Sequence, residues 1–452
     1  MDIVIIGAVA AGAKAAAKVK RLLPDANVKI YTNDTHVSYS SCGLPYFIEG
    51  NFSDYKMLLV RSPEEFRAGG ISVNLEANVE KILPETKNIL VSVDNKSELV
   101  KYDKLIIATG ASPFKPEIAG INDYDGIFTL RKIEDGINIK ERMQYCKNIV
   151  IIGGGYIGIE LLEAFVRNGI YTTLIHNHEH IMSVYDPEIS DIFRKRLETS
   201  NETNFAIYTN EIVSEFSGKY SELKSVKTLS GKEFPADMAI ICAGVVPNTS
   251  LAKDAGIELG IHNTIRVNKL MRTSVEDIYA CGDCAEKTHI VTGQPVWIPL
   301  GSTANKEGRC AAMNAVGVHC EFEGVLGSAV TRCLNTTAAM TGLTEKEAIK
   351  AGFTPITATV KKYDKVPYMP EASEMTLKVV ADKITGLLLG AQAVGPVGAD
   401  KRVNTITSAL IGHLTVDEFS NNDLTYSPPY STTIDPLLNA MQILCQKTAK
   451  HC

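Results

Sequence analysis

Short, wholly apolar runs recur along the chain, and most are followed by a glycine-bearing turn. Ile3-Val4-Ile5-Ile6 is the first. Four consecutive apolar residues suit a strand covered on both faces of a parallel sheet. Gly7-Ala8-Val9-Ala10-Ala11-Gly12 follows, and the Ala-rich run behind it predicts a helix over about residues 13–23. Pro24-Asp25 ends that helix, and Val28-Lys29-Ile30-Tyr31 predicts the next strand. The pattern returns further on. Asn148-Ile149-Val150-Ile151-Ile152 leads into Gly153-Gly154-Gly155-Tyr156-Ile157-Gly158, then a helix over about 159–168 and a strand Tyr171-Thr172-Thr173-Leu174-Ile175. Two more strands end in small-residue turns, Tyr102 to Gly110 and Asp277-Ile278-Tyr279-Ala280-Cys281-Gly282-Asp283. Beyond about residue 324 the pattern changes. Strand-like runs fall at 356–360, 376–381 and 387–393, and helical runs at 400–411 and 436–445.

A Gly-x-Gly-x-x-Gly turn between a strand and a helix brings backbone N–H groups and a helix N-terminus up to a pyrophosphate. The second turn has all three glycines, Gly153, Gly155 and Gly158. The first has Gly7 and Gly12 but Val9 between them, and Thr32 stands where an acid would hold a ribose. The predicted class is α/β, with two Rossmann-like dinucleotide-binding domains and a C-terminal α+β domain. The first domain would comprise residues 1–112 and 248–323, the inserted second domain 113–247, and the last domain 324–452.

Composition narrows the function classes. Of 452 residues, 45% are hydrophobic and 22% charged, as in an ordinary globular protein, and the net charge of −6 argues against nucleic acid or an anionic membrane as partner. No apolar run reaches the ~18 residues of a membrane span. The N-terminus lacks a basic leader, so a cytoplasmic location is expected. Ten scattered cysteines then read as reduced thiols. Cys281 and Cys284 form a CxxC run, but its place after a strand reads more simply as a Gly-Asp cofactor turn.

Cys42, in Val37-Ser38-Tyr39-Ser40-Ser41-Cys42-Gly43-Leu44-Pro45-Tyr46, has no second cysteine nearby. Pro45 suits the start of a helix. A sulfur near a helix N-terminus is expected to have a lowered pKa and to be thiolate-rich. The four glycine and Gly-Asp motifs, in this order along the whole chain, resemble the two-dinucleotide flavoprotein reductases. In that family the first unit and the Gly-Asp segment hold FAD, and the second holds NAD(P)H. Two-cysteine members carry CxxxxC at this point, whereas here Phe47 replaces the second cysteine. The chain therefore resembles the single-cysteine branch of NADH oxidases, NADH peroxidases and coenzyme A disulfide reductases. Oxygen and peroxide enzymes of that branch carry a histidine in the first glycine turn, where this chain has Ala10 and Ala11. The Ala-rich turn is similar to that of the coenzyme A disulfide reductases.

The resemblance implies roles for particular residues. FAD would be held by Gly7, Val9, Ala10, Gly12, Thr109, Gly110, Asp283, Pro299 and Thr303. NAD(P)H would be held by Gly153, Gly155, Tyr156, Gly158, Glu160, His176 and Gly244. Helix 301 onward would aim its N-terminus at the flavin. Tyr368 in Pro367-Tyr368-Met369-Pro370, and Tyr426 in Tyr426-Ser427-Pro428-Pro429-Tyr430-Ser431, are similar to segments that bring two tyrosines from a partner subunit to the cysteine. A homodimer with a shared site is implied, in which Tyr426 protonates a leaving thiolate. Lys18, Arg21, Ser38, Arg61 and Lys306 would bind coenzyme A, with Lys14 and Lys20 also near the first helix. The implied activity is NAD(P)H-dependent reduction of coenzyme A disulfide, or a related small disulfide, through FAD and a Cys42–S–S–CoA mixed disulfide. Polysulfide or persulfide reduction comes second, then water-forming NADH oxidation or peroxide reduction. A flavin-bound redox sensor is the non-enzyme alternative. His176-Asn177-His178-Glu179-His180 lacks the acid of an NAD-selective site, which favours NADPH with NADH possible. The three histidines read as a solvated loop beside the cofactor, with no metal. Cys445 and Cys452 read as an inert tail.

Overall fold

The computed structural model describes residues 1–94, 96–396 and 398–448. Two five-stranded parallel sheets repeat one plan. In the first, the strand Asp2–Ile6 is central, with Asn27–Tyr31 on one side and Lys104–Ile107 on the other. Ile71–Asn74 and Ile278–Ala280 form its edges. In the second, Asn148–Ile152 is central between Tyr171–Ile175 and Met238–Ile241, and Phe205–Tyr208 and Ile127–Phe128 form the edges. In both sheets the chain reverses its winding beside the central strand, where open α/β sheets bind ligands. The central strands are buried because Ile and Val cover both faces, as their uninterrupted apolar runs require.

The helices after these strands begin earlier than their apolar pattern predicts, at Ala10 rather than about 13 and at Tyr156 rather than about 159. Each glycine turn is so short that its last residues already belong to the helix. Neither helix has a side-chain N-cap or an acid in its first turn, and the same is true of Gly301–Ala315. Three short helices elsewhere, Pro63–Ala68, Glu345–Lys350 and Val416–Ser420, carry full capping boxes. The first three ends thus keep their backbone N–H groups free, and all three open on one cavity.

The C-terminal region has one antiparallel sheet of five strands, against three predicted. Ala329–Cys333 and Thr336–Gly342 pair with each other, and Thr336–Gly342 pairs with Leu388–Gly395. Thr336–Gly342 is buried throughout but built of Thr, Ala, Met and Gly, so it shows neither alternation nor a branched apolar run. Helices Ala399–Ile411 and Pro436–Cys445 pack on this sheet as predicted. Cys445 ends the last helix and is disulfide-bonded, a correction to the reading of all ten cysteines as reduced thiols, and Cys452 lies outside the described residues. Among the described residues no helix is long and apolar enough to cross a membrane.

Candidate active site

A cavity of about 1660 Å3 runs between the two parallel-sheet units and reaches Met340 and Asp400 of the C-terminal region. Cys42 is exposed on its wall. The cysteine lies in a single turn, Ser41–Gly43, before the six-residue helix Leu44–Glu49. Leu44, Phe47 and Ile48 of that helix sink into the core of the second unit, together with Ile133, Ile149 and Phe165. A Cβ on Gly136 would sit 2.8 Å from the Leu44 side chain, so the bare glycine admits this close approach. The strand-like stretch before the cysteine is tied to the first unit. The Ser38 N–H donates to the Ala8 carbonyl at 2.8 Å, and the Val60 N–H donates to the Ser38 carbonyl at 2.7 Å. Ser38 itself has φ 52°, a left-handed conformation that costs a non-glycine residue about 1–3 kcal/mol. The thiol is thus anchored to both units at once.

The glycine turns fit dinucleotides. Gly7 and Gly153 have φ of 104° and 115°, and a Cβ on either would meet the carbonyl at the end of a neighbouring strand, Ala108 at 2.1 Å or Cys242 at 2.2 Å. Gly12 and Gly158 lie against the carbonyls of Gly7 and Gly153, at 1.9 and 2.0 Å from an added Cβ. Asp283 lines the cavity beyond the first turn. Its Oδ2 accepts from Arg131 at 3.4 Å, while Oδ1 is buried with no hydrogen-bond partner among the described residues. An orphaned carboxylate oxygen beside an uncapped helix end matches a ligand with sugar hydroxyls and phosphates, as in FAD.

Comparison with known proteins agrees with this geometry. Residues 1–308 match the pyridine nucleotide-disulphide oxidoreductases, and residues 330–437 match the dimerisation domain of those enzymes. The chain belongs to the pyridine nucleotide-disulphide oxidoreductase family. It is 38% identical over 446 residues to an NAD(P)H coenzyme A polysulfide/persulfide reductase of Pyrococcus horikoshii, covering 98% of each chain. It is 31% identical over 439 residues to a coenzyme A disulfide reductase of Staphylococcus aureus, covering 95% of this chain and 96% of the relative. An NAD-dependent persulfide reductase from A. fulgidus superposes with a TM-score of 0.95 at 32% identity, covering 99% of this chain and 83% of that one. The chain is an oxidoreductase whose cofactors are FAD and NAD(P)H.

Within this pyridine nucleotide-disulphide oxidoreductase, electrostatics set the state of the thiol. Although Cys42 opens on the cavity, the protein mass around it withholds bulk water, and this desolvation raises its pKa; the Glu160 carboxylate raises it further, and Arg131 and a hydrogen bond from Ser41 pull it back. This corrects the expectation of a thiolate stabilised by a helix N-terminus. The helix has only six residues, too few aligned peptides to outweigh desolvation and a nearby carboxylate. Glu160, on the helix Tyr156–Arg167, is itself pushed up to about 7 by burial, against a hydrogen bond from Thr331 at 3.2 Å. Tyr156 beside it is raised to about 12, again by burial.

The cavity brings together most of the residues singled out from sequence. Gly7, Val9, Ala10, Thr109, Gly110, Asp283 and Pro299 line it, as do Gly155, Tyr156, Glu160 and Gly244. Lys14, Lys18 and Arg21 line it from one face of the first helix, and Ser38 and Arg61 line it from the loop side. The Arg61 guanidinium lies over the Phe66 ring at 5.1 Å. Lys20 faces elsewhere and donates to the Ala26 carbonyl at 2.9 Å. Gly12 and Gly158 pack beneath the surface, half-buried Gly153 lies off the cavity wall, and Thr303 and Lys306 do not reach that wall. Tyr368 and Tyr426 stand exposed in the C-terminal region, away from their own chain's cavity. His176 is buried, a correction at this one position, while residues 177–179 of the histidine loop are exposed as expected. The His176 Nδ1 accepts the Gly154 N–H at 3.2 Å, and burial lowers its pKa, so the ring is neutral. Cys281 and Cys284 are both free and fully buried, consistent with a cofactor turn, and burial raises both thiols. Arg131 was not legible in the sequence. It stands alone before the helix Ile133–Met143, and only the fold brings it to Asp283 and Cys42.

Proposed function

We propose that this enzyme reduces the sulfur–sulfur bond of a coenzyme A-linked small molecule at Cys42, using NAD(P)H. The observation that carries this reading is the exposed Cys42 in a cavity whose rim bears Lys14, Lys18, Arg21 and Arg61. A thiol that must pair with an outside sulfur therefore shares its cavity with four cations suited to an anionic, phosphate-bearing partner. FAD, when bound by the Gly7–Gly12 turn, Thr109, Gly110 and Asp283, supplies two-electron transfer from NAD(P)H. The chain's own residues do the rest. The Cys42 thiolate attacks one sulfur of the substrate, forming a Cys42–S–S–CoA bond while the other thiolate leaves. A proton from Tyr426 of the partner subunit neutralises that leaving group, with Tyr368 of the partner subunit beside it. Two electrons then cleave the mixed disulfide, releasing coenzyme A thiolate and returning Cys42 to its thiolate form.

Coenzyme A disulfide is the substrate we favour. A coenzyme A persulfide or polysulfide is the second reading, favoured by the higher identity of the polysulfide/persulfide reductase, 38% against 31%. The loss of an acid at position 176 favours NADPH, with NADH also used. The segmentation 1–112 with 248–323, 113–247 and 324–452 belongs to the same reading, with the last segment pairing two subunits. Mass spectrometry of the oxidised holoenzyme tests the proposal. A coenzyme A adduct on Cys42 is expected. A persulfide there would favour the second reading, and a stable sulfenic acid would overturn both.

A further inference from the structure

Two ionisable side chains that take no part in this chemistry are fully buried against each other beneath the cofactor site. Lys287 Nζ lies 3.4 Å from Glu307 Oε1, and both side chains have zero exposure. They meet at one residue, Gly282, one on each of its two flanking peptides. The Gly282 N–H donates to Glu307 Oε2 at 2.7 Å, and Lys287 Nζ donates to the Gly282 carbonyl at 3.0 Å. Lys287 also donates to the Ala285 carbonyl at 3.0 Å. Gly282 has φ 82° and immediately precedes Asp283, the residue with the orphaned oxygen.

The pair also reaches the other segments that face the cofactor. Glu307 is on the helix Gly301–Ala315, whose uncapped N-terminus opens on the cavity. The next residue, Gly308, touches the first helix so closely that an added Cβ would stand 2.3 Å from the Ala11 carbonyl. One side of the 301–315 helix is therefore seated on the phosphate-binding helix, and Glu307 ties it to the Gly-Asp turn. Placing two charges out of water is costly, and an ion pair there rarely adds net stability over an apolar pair. Its use is then geometric.

We propose that Lys287 and Glu307 are positioning residues for FAD: they clasp the backbone of Gly282 on both sides, Glu307 at its N–H and Lys287 at its carbonyl, and so aim Asp283 and the 301–315 helix N-terminus at the cofactor together. The pair touches no substrate, and its effect passes through Gly282.

Two double variants of the holoenzyme test this. K287M/E307L removes the ion pair and both bonds to Gly282, while K287M/E307Q keeps an acceptor for the Gly282 N–H. FAD release on dilution, followed by flavin fluorescence, should be at least about tenfold faster in K287M/E307L, a change of roughly 1.4 kcal/mol. It should be only about threefold faster in K287M/E307Q, and the visible flavin spectrum should shift in the first variant alone. The melting temperature in excess FAD serves as control, because a purely structural pair would move it without separating the two release rates. Release within twofold of the unmodified enzyme in K287M/E307L would overturn the proposal, as would equal release from the two variants. If neither variant folds, the pair is a folding element and the proposal also fails.

Discussion

The two glycine turns share their first and last glycines and differ at all four positions between them. Gly7 and Gly153 meet the same kind of strand-end carbonyl, and Gly12 and Gly158 each press on the carbonyl of the first glycine. The middle residue is Val9 in one turn and Gly155 in the other, and nothing lies within 4 Å of a Cβ on Gly155. The outer glycines are thus demanded by the protein's own packing. The middle one answers only to the ligand, so it is free to vary where the cofactor's approach allows. The units also differ in chemistry, since the first is tied to the cysteine loop and the second supplies Glu160 to the same cavity.

The sharpest break between the units is chemical. Cys42→Ser should lower disulfide-dependent NAD(P)H oxidation by at least about a thousandfold. Anaerobic bleaching of the flavin by NAD(P)H should persist, as stopped-flow absorbance will show. Retained turnover would shift the chemistry away from this thiol. Next come the shared glycines. Gly12→Val and Gly158→Val should each destabilise the fold by about 3 kcal/mol or more, read from denaturant unfolding of the holoenzyme. A tolerated change at either site would end the claim of a common skeleton.

Gly155→Val copies the middle residue of the first turn into the second. It should leave the melting temperature almost unchanged and raise the KM for NAD(P)H about tenfold, equivalent to ~1.4 kcal/mol. Unaltered KM would mean that the nicotinamide cofactor does not approach this backbone closely. Glu160→Gln links the two units. Burial pushes the Glu160 carboxyl up to about 7, and its charged form holds the Cys42 pKa up. Removing that charge lowers the thiol pKa, so alkylation of Cys42 should be a few times faster above pH 7. The two rates should converge below about pH 6, where Glu160 is protonated in the parent enzyme. Parallel profiles across that range would show that the two groups do not interact. The smallest effect is expected for Val9→Gly, within about 0.5 kcal/mol in stability because glycine is an acceptable N-cap. FAD release should change less than twofold.

Much of the fold was visible in the chain because the central strand of each parallel sheet is an Ile and Val run with a glycine turn behind it. The site was visible where spacing encodes geometry. Lys14, Lys18 and Arg21 fall on one helix face, and the cavity receives all three. What stayed hidden depends on contacts between distant segments. Arg131 meets Asp283 across 152 positions, and Lys287 meets Glu307 across two elements. The Thr336–Gly342 strand was missed because its small residues gain burial from its neighbours and not from its own pattern. The state of Cys42 was misread for the same reason, since a local helix-end argument could not register Glu160 arriving from the second unit.

Phe47 occupies the position of the second cysteine in two-cysteine relatives, and its ring belongs to the core between the cysteine helix and the second unit. Lys140 lies over that ring at 4.1 Å and donates to the Phe47 carbonyl. A sulfur returned to this place would leave a void of ring size, at a cost of about 3 kcal/mol or more. It would also start on the side turned away from the cavity. The ring therefore works as a keystone: it locks the helix behind Cys42 from the side away from the cavity, so a sulfur partner for Cys42 has to arrive through the cavity.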